Sequence, residues 1–139
     1  MHAIEQKFSD FYQNFSKQSV DNLSDIYDEH VEFVDPVHHV YGLDSLTHYF
    51  ERLLKETARC QFIIHEFEKA EASSFVTWTM DFAHPKLKFG KPIQLAGISK
   101  IRVANDKVIY QRDYYDLGAM LYEHVPLLGL ATRFLKNRL

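Results

Sequence analysis

Apolar residues recur at two different periods along this chain, and the change falls near Arg59. Before it, Ile4, Phe8, Phe11, Tyr12 and Phe15 sit at helical spacing and make one apolar face. A second short helix is predicted from Asn22 to Tyr27, with Asp21 as N-cap and Leu23, Ile26 and Tyr27 apolar. Val31-Glu-Phe-Val-Asp-Pro36 predicts a short strand, ended by a proline that cannot donate to a ladder. After Tyr41 and Gly42, Asp44 or Ser45 caps a third helix reaching about Lys55. Leu46, Tyr49, Phe50, Leu53 and Leu54 form its inward face.

Beyond Arg59 the pattern becomes strand-like. Residues from about Arg59 to Lys69, Ser73 to His84, Ile93 to Ala104 and Lys107 to Asp116 predict long strands. Glu71-Ala-Ser, the stretch from Pro85 to Pro92, and Asn105-Asp106 carry the turn chemistry between them, the last short enough for a tight hairpin. Helices first and a strand meander afterwards predict an α+β domain with helices covering one sheet face. No repeat, low-complexity tract or linker interrupts the chain, so one domain over 1–139 is expected. Helical spacing resumes in a tail over 117–139, where Leu127, Leu128, Ala131, Phe134 and Leu135 follow the break at Pro126.

One strand alternates informatively. Val76, Trp78, Met80 and Phe82 share one face, and Thr77, Thr79 and Asp81 share the other. With the helices on the Asp81 face, the Trp78 face is large, apolar and uncovered. Such a face belongs to an interface, and the expectation is a twofold homodimer through it.

Composition narrows the function. The 139 residues suffice for one core, and 46% hydrophobic with 25% charged residues is ordinary globular usage. A net charge of −3 gives no footprint for nucleic acid. The 11 Phe and 8 Tyr are enough to fill a core and line an apolar pocket, so a small apolar molecule is the expected partner. Cys60, the single cysteine, reads as a small buried hydrophobe and fits a reducing compartment. The N-terminus has charge where a signal peptide needs an apolar core. No apolar run approaches the roughly 20 residues of a membrane span. A cytoplasmic protein is expected. The eight histidines show no ligand spacing such as H-E-x-x-H, so no metal and no cofactor are expected. His39 or His38, which point to opposite faces, is expected at a pocket mouth. Arg133, Lys136 and Arg138 make the tail basic and amphipathic; packing on the domain or a partner is favoured over contact with a membrane.

The chemistry centres on Asp113, an acid in the middle of the strand-like run from Ile109 to Asp116. A carboxyl among apolar neighbours resists ionisation unless a partner compensates. Such groups cluster at sites of acid–base chemistry, and structural pairs produce the same pattern. Arg112 alternates to the opposite face from Asp113.

The strand end Val34-Asp35-Pro36 and the closing run Arg112-Asp-Tyr-Tyr-Asp-Leu117 resemble the NTF2-like superfamily. That group includes SnoaL-like polyketide cyclases, ketosteroid isomerases and limonene-epoxide hydrolases. The resemblance spans about Ile4 to Tyr122. It implies a cystatin-like cone, a strongly curved, mainly antiparallel sheet wrapped around N-terminal helices, with dimerisation through the outer face. Asp113 is similar to the water-activating acid of the epoxide hydrolases, and Asp81 to their second acid. Thr79 replaces the arginine that bridges those acids, and Phe33 and Asp35 replace the tyrosine and asparagine that hold the water. Asp35 also resembles the general base of ketosteroid isomerases. Tyr12 lies near that branch's oxyanion tyrosine, and Ser99 near its protonated acid.

The resemblance thus implies Asp113, Asp35 and Asp81 in one pocket, with Tyr12, Phe33, His39, Thr79, Ser99, Gln111 and Tyr115 as substrate-binding residues. Like charges so close keep at least one carboxyl protonated, which supplies an acid and a base together. The expected function is acid–base chemistry of the isomerase, cyclase or hydrolase kind. A non-catalytic binding module and a dimerisation module stand beside it as alternatives.

Overall fold

A computed structural model describes residues 3–86, 90–120 and 128–139. Leu87 to Phe89 of the expected long turn, Pro126, and Leu127 of the tail stripe lie outside these residues. α1 (Ala3–Gln13) buries Ile4, Phe8, Phe11 and Tyr12, the face its spacing predicts. The next helix departs from expectation: α2 spans Lys17–Asp21 and is capped by Ser16 rather than Asp21. Ser19 N donates to Ser16 Oγ while Ser16 N donates to Ser19 Oγ, a reciprocal box that starts the helix early. A 3-10 turn (Leu23–Asp25) follows, and Tyr27 opens β1 (Tyr27–Val34) instead of closing a helix.

After β2 (His39–Tyr41), Gly42 takes a φ of 85° and leads into α3 (Leu43–Glu56), ahead of the caps expected at Asp44 or Ser45. The four long strands then appear as β3 (Arg59–Lys69), β4 (Ser74–Ala83), β5 (Ile93–Ala104) and β6 (Lys107–Tyr115). Asn105 and Asp106 both adopt positive φ, 51° and 62°, the conformation that a tight hairpin between twisted strands demands. The sheet order is β2-β1-β6-β5-β4-β3, antiparallel except for the parallel β1–β6 pair. The fold is the expected α+β arrangement, a curved, unclosed six-stranded sheet with the N-terminal helices against it.

Rings fill the space between. Phe11 and Phe50, from α1 and α3, lie 5.7 Å apart, and Phe62 from β3 meets Tyr12 at 5.1 Å. Each such side chain, once buried, stabilises the fold by about 1.5–3 kcal/mol.

The faces of β4 are the reverse of those expected. Val76, Trp78, Met80 and Phe82 turn into the core, with Trp78 only 5% exposed, while Thr77, Thr79 and Asp81 take the convex side. Register shows why: Val76 pairs with Ser99 and Ser99 with Asp113, so the three share one face with the Trp78 row. Four apolar side chains gain far more against the helices than two threonines and an aspartate would. The Trp78 face therefore cannot serve as the dimer surface.

α4 (Leu117–Met120) follows β6, and α5 (Leu128–Asn137) closes the described chain. Lys136 Nζ lies 3.3 Å from Asp116 Oδ2. Leu130, Phe134 and Leu135 are 63%, 57% and 64% exposed, so these three side chains do not pack on this chain's own domain. Among the described residues no helix is long and apolar enough to cross a membrane.

Candidate acid–base site

Asp113 projects from the middle of β6 onto the concave face, where burial pushes its carboxyl up from 3.8 to about 6. Ser99 and Gln111 oppose that rise by donating hydrogen bonds, and the charge of Asp35 adds to it. Both donors meet the same oxygen: Ser99 Oγ lies 2.6 Å and Gln111 Nε2 2.9 Å from Oδ1. Oδ2 accepts no hydrogen bond among the described residues. With Oδ1 already holding two donors, a proton taken up by this carboxyl goes to Oδ2.

The proton inventory behind Asp113 closes on itself. A phenol has one hydrogen to give and an amide nitrogen two. Gln111 Oε1 can only accept, so Tyr27 commits its hydrogen there, at 2.5 Å. The contact between the Tyr12 and Tyr27 hydroxyls, at 2.6 Å, must then be donated by Tyr12. Tyr12 in turn accepts from Gln111 Nε2 at 3.1 Å, and the second amide hydrogen goes to Asp113. Turning the amide over would press Oε1 against Oδ1, two acceptors without a hydrogen between them. The result is a one-way ring through Gln111, Tyr12 and Tyr27. Burial holds both phenols neutral by pushing their ionisation up. On the other flank Trp78 Nε1 donates to Ser99 Oγ at 2.9 Å, so the serine hydrogen is free only for Asp113.

Asp35 is also inward and buried, and its needs are met. Oδ1 accepts from Val37 N at 2.8 Å and His38 N at 2.7 Å, and Oδ2 accepts from the Tyr49 hydroxyl. It organises the turn between β1 and β2 and ties that turn to α3. Phe33 packs beside it against Tyr49 and Phe50. Tyr115, two residues beyond Asp113 on the same face, is half-buried, and its ring meets Trp78 at 6.3 Å. Of the concave-face tyrosines Tyr12, Tyr27, Tyr49 and Tyr115, only Tyr115 has a hydroxyl without a hydrogen bond among the described residues. Burial and the carboxylates of Asp35 and Asp113 push its ionisation up, which keeps it a donor.

Three expected site residues stand elsewhere. Asp81 lies on the convex face, where Arg59 Nη2 reaches Oδ2 at 2.9 Å. Thr79, also convex, meets His65 Nε2 at 2.8 Å. His39 is exposed on the edge strand β2, paired with Glu32 at 2.6 Å and stacked on Tyr41. Strand parity puts all three on the side away from Asp113, so the expected cluster of three acids becomes Asp113 with Asp35. Tyr12 is in the core as expected, but its hydrogen is spent on Tyr27 and cannot serve a substrate oxygen.

Tyr27, Trp78 and Tyr49 are the neighbours that sequence reasoning missed as site-forming residues. Tyr27 keeps the period of two with Val31 and Phe33, but helical spacing with Leu23 and Ile26 claims it in the sequence. Cys60 is buried with its thiol pushed up to about 12, so it does not act as a nucleophile at neutral pH. Among the described residues no histidine, cysteine and carboxylate cluster is arranged to hold a metal.

Phe8, Tyr12, Phe62, Ile64, Trp78, Ser99 and Asp113 enclose a cavity of about 10 Å³. That is about the space of one water. A roomier hollow of about 590 Å³ between Ser24, His30, Gly42 and Lys107 includes none of the residues bonded to Asp113.

Solved structures share this fold. An NTF2-like protein of unknown function from Burkholderia pseudomallei matches 87% of this chain and 96% of its own, at 16% identity and a TM-score of 0.75. A protein of ketosteroid isomerase-like fold from Catenulispora acidiphila, solved in complex with trimethylamine, matches 89% and 94%, at 12% identity and 0.74. A SnoaL-like polyketide cyclase from Agrobacterium tumefaciens matches 86% and 96%, at 13% identity and 0.72. At such identities the likeness is one of fold. Comparison with curated proteins gives no match. The SnoaL-like domain model matches residues 8–111, three quarters of the chain, and includes Tyr12, Tyr27, Ser99 and Gln111. The chain belongs to the SnoaL-like domain family.

Proposed function

We propose that the protein binds a small apolar molecule at the concave face and moves a proton on it with Asp113. The observation that carries this reading is the asymmetry of that carboxyl in the cavity wall: Oδ1 is held by Ser99 and Gln111, and Oδ2 by neither. Above pH 6 Oδ2 is a base in an apolar site; once protonated it is an acid at the same position. Tyr115 supplies the uncommitted hydroxyl that can stabilise charge developing on a substrate oxygen. Isomerisation, cyclisation and water addition all fit this pair. Asp35 acts through the field it imposes rather than as a base, because both of its oxygens are engaged. An expected homodimer belongs on the convex face, where Ile63 and Tyr114 are exposed, rather than on the Trp78 face.

A second reading has one observation in its favour. A cone whose cavity holds about one water is what a non-catalytic module filled by its own side chains would have. One assay separates the two. A nitrobenzisoxazole reports on any base in an apolar site: the base takes the ring C–H proton, the N–O bond breaks, and a coloured cyanophenolate forms. Wild type should exceed Asp113→Asn by at least roughly tenfold, with the rate rising through pH 6. Equal rates in two folded proteins would sink the catalytic reading and leave the filled module.

A further inference from the structure

We infer that Tyr27, sealed in the core away from the cavity, is a positioning residue for the site: by donating to Gln111 Oε1 it fixes the amide so that Nε2 faces Asp113. This deepens the reading of Asp113 as the proton carrier and rests on it. The geometry leaves Gln111 no second choice while the ring is intact. Its carbonyl is held by Tyr27, one amide hydrogen by Tyr12 and the other by Asp113. Gln111 is 1% exposed and Tyr27 fully buried, so water does not compete for these bonds. Polarity is equally constrained, since each phenol has a single hydrogen. The tyrosines thus do for Gln111 what Trp78 does for Ser99: each orients a neutral donor onto Oδ1.

Without the Tyr27 hydroxyl, Gln111 Oε1 is a buried acceptor with no donor, and the amide gains by turning that oxygen toward Asp113. A carbonyl there accepts from a protonated carboxyl and repels an ionised one. The base is then weakened as a carboxylate and held as an acid. Other ionisable groups facing Asp113 are Tyr12 from α1, Asp35 after β1, Tyr49 from α3 and Tyr115 on β6 itself. The tyrosines are neutral over the range in question, and Asp35 keeps its three donors in the variant.

The test is a pH titration of the Asp113 carboxyl carbon by NMR, in protein labelled at aspartate, with Asp113→Asn assigning the signal. Tyr27→Phe should raise the midpoint from about 6 by about one pH unit, in the same direction as Gln111→Leu. Phe50→Leu loosens the same ring cluster without touching a hydroxyl and should lower stability while leaving the midpoint in place. An unmoved midpoint in folded Tyr27→Phe overturns the inference, as does an equal shift in Phe50→Leu. If Tyr27→Phe does not fold in buffer alone, the titration is run in a stabilising osmolyte such as sucrose, and an unmoved midpoint there overturns it equally. Failure of the catalytic reading is separate: it appears as equal nitrobenzisoxazole rates in wild type and Asp113→Asn, whatever the midpoints do.

Discussion

Gly97 lies directly under the Trp78 ring: a β-carbon built on it would stand 2.2 Å from Trp78 Cη2. The two are cross-strand partners, and the missing side chain lets the indole lie flat enough for its N–H to reach Ser99. Gly97→Ala cannot be absorbed by a flexible tip, because the nearest atoms belong to a rigid ring. We expect a loss of about 1–3 kcal/mol in urea unfolding and a red-shifted tryptophan emission as the ring is driven from the core.

Asp113 should cost stability when ionised. Its folded carboxyl titrates near 6, above the ordinary 3.8, so between these values the folded state binds more protons than the unfolded one. Stability therefore falls as pH rises through that window and is lowest above pH 6. Asp113→Asn keeps an acceptor for Ser99 and Gln111 and removes the charge. We expect it to be more stable than wild type at pH 8 by about 1–2 kcal/mol and to match it near pH 4, measured by urea unfolding at both. A gain in stability together with a loss of proton-transfer rate marks a carboxylate kept for its chemistry.

Ser99→Ala removes the donor to Oδ1 and the acceptor of Trp78 Nε1 in one step. Trp78 Nε1 then lacks a partner and Oδ1 keeps only Gln111, which should destabilise by about 1–3 kcal/mol. The Asp113 midpoint should also rise, because the donor that favours its charged form is gone. The pH dependence of the nitrobenzisoxazole rate reports that rise.

Asp81→Ala, by contrast, should leave both the rate and the Asp113 midpoint unchanged. Its partner is Arg59 on the convex face, and the sheet lies between it and Asp113. A large loss of rate in this variant would place Asp81 back in the site.

At the β1–β2 turn, Asp35→Ala strips the acceptor from Val37 N and His38 N and from the Tyr49 hydroxyl. A loss of about 2–4 kcal/mol in urea unfolding is expected, against a smaller loss for Asp35→Asn, which retains one acceptor oxygen. The charge of Asp35 also raises the Asp113 midpoint, so both variants should lower it.

Periodicity in the sequence was enough to find α1, α3 and the four long strands, because a helix or strand must present its apolar residues at the period of its own backbone. Asn105-Asp106 identified its hairpin for a similarly local reason, since these residues tolerate positive φ. The acid in β6 was legible as an anomaly among apolar neighbours. What alternation cannot say is which of two faces a sheet turns inward. That is settled by the register of Val76, Ser99 and Asp113 across three strands and by the helices that pack over them. The tertiary structure therefore placed Trp78 beside Asp113, sent Asp81, Thr79 and His39 to the far side, and joined Tyr12, Tyr27 and Gln111 into one ring. Those three lie up to 99 positions apart in sequence, and no local rule links them. Only the shared need of buried polar groups for partners does.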